Sequence, residues 1–346
     1  MTSTTHPAAH TLAKLAVSIT VGLTLRLGAA WFTPAHAATP TTIWVDKASK
    51  GGRCSDTRTR TTATQTSPLC TLTRAANLAT DGDTVMIRAA TYTETLRPLD
   101  SGTPTSPIRY TAYEPGVVID ASTVATGILV IGRTDLRLSG LTVKNGGSQG
   151  IWVDSSARVS FDTVTVTANG FGLRAKSSSN LTVQNSTLTA NRGAGVMELG
   201  GVARGRYLHD DITNNGHDGQ PYNGDGLQLD GTSALISDCD ITGNGDNALY
   251  EHGIYASTTA LGYTIENSRF SGNSATNVKA EGSGIVRSNQ FGSARLGMYV
   301  DKNTAPGVTV SSNTFTGTFV WAVQTGTGAL LTLADNTLNG LLLKLL

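Results

Sequence analysis

Charged side chains are scarce in this chain. Its 346 residues include only 26 Lys and Arg and 25 Asp and Glu, whereas threonine alone occurs 52 times. A coiled coil or helical bundle needs Ala, Glu, Lys, Leu and Arg at helical spacing, so this composition excludes both. The formal net charge is +1, which provides no field for steering the chain toward nucleic acid or an anionic membrane. We therefore expect neither a nucleic-acid partner nor a membrane partner.

Cysteine is also rare, with three residues in the chain. Cys54 and Cys70 flank a polar, Thr-rich segment, and in an oxidising compartment they are predicted to form a disulfide. Cys239 lies between Asp238 and Asp240, whose charges oppose a thiolate. The sequence therefore predicts a buried, unreactive third cysteine.

A long apolar run is found near the N-terminus. Lys14 precedes the run 15–32, and Ala35, His36 and Ala37 supply a small-x-small cleavage pattern. Arg26 interrupts the run before it reaches the roughly 20 residues needed to span a bilayer. We expect residues 1–37 to be a secretory signal peptide, which makes the mature protein extracellular.

What the chain does contain is a repeat. Short segments that open on a small residue and then alternate with period two recur every 20 to 31 residues, and they start at Gly127, Gly150, Gly172, Gly195, Gly226, Gly253, Asn277 and Gly297. Period-two alternation predicts strands. Strands this short bury a face most simply by stacking in consecutive coils, with outward residues in columns. Eighteen of the 19 asparagines follow residue 140, and we expect them at stacked turns that tolerate left-handed backbone.

The segment before the coils has a different pattern. Residues 69–80 place Leu72, Ala75, Ala76 and Ala79 on one helical face, which predicts a short helix that caps the cylinder. Residues 81–88 then read as the first strand. The predicted domain is 38–346, with a cap region over 38–80 that holds the disulfide and coils over 81–346.

A family resemblance rests on these repeats and on four short motifs: Trp44-Val-Asp, Gly82-Asp-Thr-Val, Tyr92-Thr-Glu and Pro107-Ile-Arg-Tyr. Over about residues 41–340 the chain resembles the pectate-lyase-like superfamily of right-handed parallel β-helices. The resemblance implies an all-β solenoid with right-handed coils. It does not specify a reaction, because the superfamily contains lyases, hydrolases, epimerases and inert fibres.

The third residue of each repeat is predicted to point outward into one column: Leu129, Trp152, Arg174, Met197, Gln228, Tyr255, Lys279 and Tyr299. Aromatic rings separated by fixed cations suit an extended anionic sugar chain. We therefore predict that Trp152, Arg174, Gln228, Tyr255 and Tyr299 bind substrate, together with Asp301 in the next outward column.

The repeat lengthens at two places, which predicts loops between Asn215 and Gly226 and between Asn244 and Gly253. These loops carry most of the ionisable groups near the groove: His217, Asp218, Tyr222, Asp225, Asp246, Glu251 and His252. Because solenoid coils need no such groups for stability, their clustering beside one groove indicates a functional site.

Two resemblances to reaction types compete at these loops. Asn223-Gly-Asp225, Gly245-Asp246 and Asn277-Val-Lys279 are similar in order to the motifs of polygalacturonase-type glycosidases, although Asn247 stands in place of a second aspartate. That resemblance implies hydrolysis with Asp225 and Asp246 as acid and base, a pair that inverting enzymes hold roughly 6.5 to 9.5 Å apart.

The second resemblance is to pectate and alginate lyases, which use a Lys or Arg base. Lys279 is the only lysine between Lys176 and Lys302 and lies in the predicted column. The resemblance implies β-elimination with Lys279 as base, His252 in support, and Ca²⁺ held by Asp225, Asp230 and Asp246. We expect a secreted, monomeric polysaccharide lyase whose partner is an acidic polysaccharide. Hydrolysis and non-catalytic glycan binding are the alternatives.

Overall fold

The computed structural model describes residues 39–219, 223–303, 305–339 and 343–345. The predicted signal peptide, residues 1–37, and Tyr222 lie outside these ranges. The described residues form three parallel sheets that wind through about 11 coils, so the predicted all-β right-handed parallel β-helix is confirmed. No helix in the described ranges is long and apolar enough to cross a membrane.

Sheet 1 contains a path of twelve strands, each hydrogen-bonded to its counterpart in the next coil. In order they are Thr42–Val45, Thr84–Ile87, Ile108–Ala112, Thr134–Ser139, Ala157–Asp162, Thr182–Gln184, Arg206–Leu208, Leu235–Ser237, Leu261–Glu266, Ser283–Arg287, Val308–Ser311 and Leu331–Ala334. Two short strands, Val202–Ala203 and Gly231–Thr232, pair beside this path.

Sheet 2 follows sheet 1 within each coil, and its strands are short. They are Ala90–Tyr92, Val117–Asp120, Thr142–Lys144, Thr165–Thr167, Thr187–Thr189, Asp211–Thr213, Asp240–Thr242, Arg269–Ser271, Gln290–Phe291 and Thr314–Phe315.

Sheet 3 completes each coil and holds the predicted substrate column. Its strands are Thr126–Ile131, Gln149–Asp154, Phe171–Lys176, Val196–Leu199, Leu227–Leu229, His252–Ala256, Thr276–Ala280, Leu296–Val300, Trp321–Thr325 and Leu343–Lys344. The two predicted long loops connect sheet 2 to sheet 3 and therefore border this sheet.

The core fills the cylinder because alternate residues of every strand point inward. Phe270, Phe291 and Phe315 occupy the same inward position in successive coils, with ring centroids 5.1 and 4.5 Å apart. All three rings are fully buried. Stacking like on like across coils removes their apolar surface from water without any long-range hairpin.

Many asparagines have a different role from the predicted one. A buried ladder inside the turn between sheets 2 and 3 is formed by Asn169, Asn191, Asn215, Asn244 and Asn273. The first four side-chain amides each donate to the amide oxygen in the next coil at 2.9 to 3.1 Å, and that of Asn273 donates to Asn277 Oδ1 at 2.9 Å. Asn145, Asn185 and Asn267 do adopt positive φ as predicted. The ladder asparagines are selected instead because an amide both donates and accepts, so the column satisfies itself.

The capping helix is present but shorter than predicted, and the first strand of sheet 1 is Thr42–Val45 and not the predicted segment 81–88. The helix spans Leu72–Leu78, and the Thr71 hydroxyl accepts from the backbone N–H of Arg74 at 3.1 Å. Glu94 accepts from the backbone N–H groups of Leu72 and Thr73, which adds negative charge at the helix start. The predicted Cys54–Cys70 disulfide is formed and Cys239 is a buried free thiol, so both predictions are confirmed.

Candidate active site

The predicted column is present on the outer face of sheet 3. Leu129 pairs with Trp152, Trp152 with Arg174, and the register continues coil by coil to Tyr299 and Gln324. Met197 is buried, whereas the other members are half-buried. We call Trp152, Arg174, Gln228, Tyr255, Lys279 and Tyr299 the groove column. Successive members are one strand spacing, about 4.8 Å, apart, except that the buried Met197 separates Arg174 from Gln228 by two spacings.

A three-residue cluster forms where Tyr255 and Lys279 are adjacent in the groove column. Lys279 Nζ lies 2.6 Å from Glu281 Oε1, and the Tyr255 hydroxyl donates to Glu281 Oε2 at 2.7 Å. The ammonium nitrogen is also 5.1 Å from the centroid of the Tyr255 ring. Burial raises the pKa of Tyr255, and the hydrogen bond to Glu281 raises it further, so this hydroxyl keeps its proton. Glu281 therefore links the Lys279 ammonium to a protonated phenol.

Asp225 and His252 occupy equivalent positions on consecutive coils beside this cluster. The backbone N–H of His252 donates to Asp225 Oδ1 at 2.7 Å. Burial raises the pKa of Asp225 to about 8, which the His252 N–H and the Lys279 charge only partly oppose. Burial, aided by the charge on Lys279, lowers the pKa of His252 to about 3. At neutral pH the site therefore holds an uncharged carboxylic acid next to an uncharged imidazole.

Glu251 is fully buried and lies at the end of the loop between Asn244 and Gly253, which it holds in place. Its Oε2 accepts from the backbone N–H groups of Asp246 and Asn247 at 2.7 and 2.8 Å. A Cβ at Gly224 would come within 2.6 Å of Glu251 Oε1, so only glycine lets the other loop pack this closely. Glu251 thus positions the segments that carry Asp225 and Asp246. Burial raises its pKa.

The three carboxylates predicted to bind calcium do not converge. Asp246 is exposed. Its Oδ2 accepts at 2.9 Å from the N–H of Gly219, which lies on the other of the two long loops. Asp230 Oδ1 accepts from the Ser257 hydroxyl at 2.7 Å and from Thr259, while its Oδ2 accepts from the Gly200 N–H at 2.9 Å. Asp225 is engaged by His252. Within the described ranges, no group of three or more Asp, Glu, His or Cys could hold a metal ion. The predicted calcium site is therefore not formed by these side chains.

Arg174 is clamped between two aromatic rings three strands away from Tyr255. Its guanidinium carbon lies 4.8 Å from the centroid of Phe171 and 5.3 Å from that of Trp152. Arg174 Nε is buried and has no hydrogen-bond partner among the described residues. Burial lowers the pKa of Arg174. The two rings hold a cation for whose donors the described residues supply no hydrogen-bond acceptor, an arrangement compatible with a ligand carboxylate.

At the other end of the groove column, Tyr299 precedes Asp301 by two residues, so both point outward. Burial raises the pKa of Tyr299, and the charge and hydrogen bond of Asp301 raise it further. Gln228 lies between Met197 and Tyr255 in register. The structure thus places every predicted substrate-binding residue on one face. It does not bring Asp246 into contact with Lys279.

Three contacts that shape the site were not predicted: those of Glu281 with Lys279, of Phe171 with Arg174, and of Glu251 with the backbone of its loop. Glu281 follows Lys279 by two positions, and Phe171 precedes Arg174 by three. Period-two alternation alone placed Glu281 outward. Its pairing with Lys279 could not be read from spacing, because a column position defines the direction of a side chain and not its partner.

Two family models match consecutive parts of the chain. Residues 54–205 match "Pel9A-like, right handed beta helix region", and residues 209–338 match "Right handed beta helix region". Together they cover the coils described above. The chain belongs to the pectate-lyase-like superfamily of right-handed β-helices.

Solved structures with this β-helix include enzymes of different reaction types. An alginate lyase from Paenibacillus sp. str. FPU-7 superposes with a TM-score of 0.60 at 16% identity, covering 88% of this chain and 97% of that one. A GH136 lacto-N-biosidase from Eubacterium ramulus gives 0.63 at 11% identity, covering 88% and 68%. At such identities the likeness shows the fold alone.

One curated sequence is also similar to this β-helix. The uncharacterized protein YwoF of Bacillus subtilis (strain 168) is 39% identical over 89 residues. The matched segment is 24% of this chain and 19% of that protein. This relative therefore adds no information about the groove chemistry.

Proposed function

We propose that this β-helix is a secreted, monomeric polysaccharide lyase that cleaves a uronate-containing chain of the pectate or alginate type by β-elimination. The observation that carries the proposal is the cluster of Lys279, Glu281 and Tyr255 on the outer face of sheet 3. A base, a proton donor and a group that connects them are what an elimination requires. The alginate lyase that shares this fold is consistent with the proposal.

In the proposed reaction Lys279 first passes a proton to the Glu281 carboxylate and then, as the free amine, removes the proton from the sugar carbon next to the uronate carboxylate. The electron pair forms a carbon–carbon double bond, and the bond from the neighbouring carbon to the glycosidic oxygen breaks. The Tyr255 hydroxyl gives its proton to that leaving oxygen. Glu281 contacts both groups, so the proton that its carboxylate received from Lys279 can pass to Tyr255. The enzyme then regains its starting protonation.

Elimination also requires that the negative charge of the uronate carboxylate be stabilised. Asp225 is uncharged at neutral pH because its pKa is raised to about 8, so it can donate a hydrogen bond to that carboxylate. The ring-clamped Arg174 binds a second carboxylate about three strand spacings away, roughly 14 Å. No step of this mechanism uses calcium, since the carboxylates expected to hold it are dispersed.

Hydrolysis is the second candidate, and the raised pKa of Asp225 favours it. A buried carboxylic acid that retains its proton at neutral pH is a suitable general acid for a glycosidic oxygen. Asp246 is exposed and lies on the next loop, where it is the candidate base. Non-catalytic glycan binding is the third possibility, in which the groove holds a chain and no bond breaks.

The test is product analysis on pectate, alginate and glycosaminoglycans. We expect ultraviolet absorbance from an unsaturated uronate, at a rate that a calcium chelator does not change. New reducing ends without this absorbance would replace elimination with hydrolysis. Binding without any new ends would leave a glycan-binding protein. Loss of elimination in chelator, restored by added Ca²⁺, would contradict the metal-free mechanism.

A further inference from the structure

The outer face of sheet 1 carries a concave basin that the groove chemistry does not use. It has a volume of about 610 Å³ and lies on a different sheet from the groove column. Its floor consists of outward side chains from four consecutive strands, Ile108–Ala112 to Thr182–Gln184, and Pro104 and Pro107 form one wall. The basin is therefore a second recess on the same solenoid.

Two arginines on the basin floor face each other across neighbouring strands. Arg109 and Arg137 are register partners, one strand spacing apart. Like charges directly opposite in a sheet are destabilising. The described residues compensate these charges only in part. The charge of Asp135 acts on Arg137, but Arg137 has no hydrogen bond or ion pair among the described residues, and Arg109 Nη1 donates only to the Pro107 carbonyl oxygen at 3.3 Å. The repulsion between the two guanidinium groups therefore destabilises the folded protein at this position.

The carboxylates nearest to these arginines are already engaged. Asp135 accepts two hydrogen bonds from Arg158, at 2.7 and 2.8 Å. Asp162 accepts from the Asn185 amide at 2.9 Å and from the Thr163 hydroxyl at 3.1 Å. Arg109 and Arg137 are left as a pair of cations that can share one external anion.

The rest of the floor has hydroxyl and amide groups in place of aromatic rings. Ser160 and Thr182 continue the row of Arg109 and Arg137 in register, and the exposed Arg206 follows them just beyond the basin. The row therefore carries cations at both ends of about four strand spacings, roughly 19 Å. A free phosphate or sulfate ion would contact only one end. A polymer with repeated anionic groups and many hydroxyls matches the whole row.

We propose that this basin is a second binding site for acidic polysaccharide. Arg109 and Arg137 share one carboxylate or sulfate, and Ser160, Thr182 and Gln184 bind sugar hydroxyls. Because the basin and the groove are on different sheets, the protein can hold a polymer at one face while the other face remains open. The argument rests on sheet 1 and does not require that the groove be catalytic.

The test measures binding and not turnover. Its result is therefore informative even if the groove column has no catalytic activity. Calorimetry or affinity electrophoresis with polygalacturonate and alginate would compare Arg109→Gln/Arg137→Gln with the wild type. We expect about tenfold weaker binding in the double variant, as for the loss of one charge-assisted contact. Arg287→Gln is the matched control, since this arginine is also exposed on sheet 1 but is paired with Glu266. It should bind as the wild type does.

Two further arms keep the result decisive. Should the double variant not fold, Ser160→Asp places a negative charge beside Arg137 and is expected to weaken binding similarly. Methyl-esterified pectin serves as the uncharged polymer and inorganic sulfate as the free anion. Unchanged binding in the basin variants would overturn the proposal. So would equal affinity for esterified pectin, or displacement of the polymer by sulfate at matched charge concentration.

Discussion

The interior and the groove of this β-helix each contain a glutamate hydrogen-bonded by a tyrosine. Inside the cylinder, the Tyr207 hydroxyl donates to Glu198 Oε1 at 3.0 Å. In the groove, the Tyr255 hydroxyl donates to Glu281 Oε2 at 2.7 Å. Glu198 takes the inward position that Ala175 fills in the preceding coil, whereas Glu281 follows Lys279 on the outer face. The two pairs are chemically alike but differently surrounded.

The difference between the two pairs shows how a neighbouring cation and access to solvent change the properties of a glutamate. Glu198 is fully buried, and burial raises its pKa to about 7. A Cβ at Gly205 would come within 2.6 Å of its Oε1, so the backbone makes room for the carboxyl group. Glu281 has Lys279 beside it and can exchange a proton with two partners. The inner pair therefore affects folding, and the outer pair is suited to reaction.

The largest effect is expected at the outer pair. Lys279→Ala removes the proposed base and should lower kcat for elimination about 10³-fold. The thermal midpoint should be unchanged, since Lys279 is on the surface of a stacked sheet. Lys302→Ala, an exposed lysine outside the groove column, is the control and should keep full activity. A wild-type rate in Lys279→Ala would remove this residue from the mechanism.

The next effect concerns the link between base and acid. Glu281→Gln keeps the shape but cannot pass a proton, and we expect a loss in kcat of about 10- to 100-fold. Tyr255→Phe should lose a similar factor, and the double variant should lose little more, because both changes break one relay. Steady-state kinetics of the four proteins make the comparison. Fully additive losses would mean that the two residues act independently.

At the inner pair the expected effect is on stability and its pH dependence. Folded Glu198 stays uncharged up to about pH 7, while its ordinary pKa is 4.5. The free energy of unfolding should therefore fall as pH rises from 4.5 to 7, by on the order of 3 kcal/mol. Glu198→Gln should remove this share of the decline and be the more stable protein at pH 8, whereas the share due to Asp225, whose pKa is also raised, remains. Thermal unfolding at pH 5 and pH 8 measures it, with Asp211→Asn as an exposed control.

The smallest effect is expected at the clamped arginine. Arg174→Lys keeps the charge but loses the planar stacking between Phe171 and Trp152 and the forked donors. We expect KM for polymer to rise about tenfold with little change in kcat. Arg204→Lys, at an exposed turn, should leave both constants unchanged. A fall in kcat with constant KM would instead place Arg174 among the reacting groups.

Much of the architecture was predictable because a solenoid is a local structure. The period-two segments predicted the coils, and the outward positions from Leu129 to Tyr299 form the predicted column. The same reasoning gave a wrong prediction for asparagine, because asparagines occur both in left-handed turns and in a buried hydrogen-bonded ladder. Asn169 and its successors form an internal ladder and not left-handed turns, since spacing does not distinguish an inward amide from a turn amide.

The candidate site was predicted in outline and corrected in detail. Lys279, Tyr255, Arg174 and His252 lie beside one groove, as expected from the repeat. Asp225, Asp230 and Asp246 do not form a calcium site, because each carboxylate is hydrogen-bonded to a different segment. The sequence shows which carboxylates are close together along the chain. It does not show which backbone N–H group donates a hydrogen bond to each of them.

By itself the sequence determined the stacking of coils, the identity of the groove face and the disulfide of the cap. These depend on side-chain alternation and on short separations along the chain. Only the tertiary structure decided that Glu281 joins Tyr255 to Lys279, that Asp225 retains its proton and that Arg109 faces Arg137. Pairing, burial and charge depend on distances between coils, and register across 20 to 31 residues sets those distances.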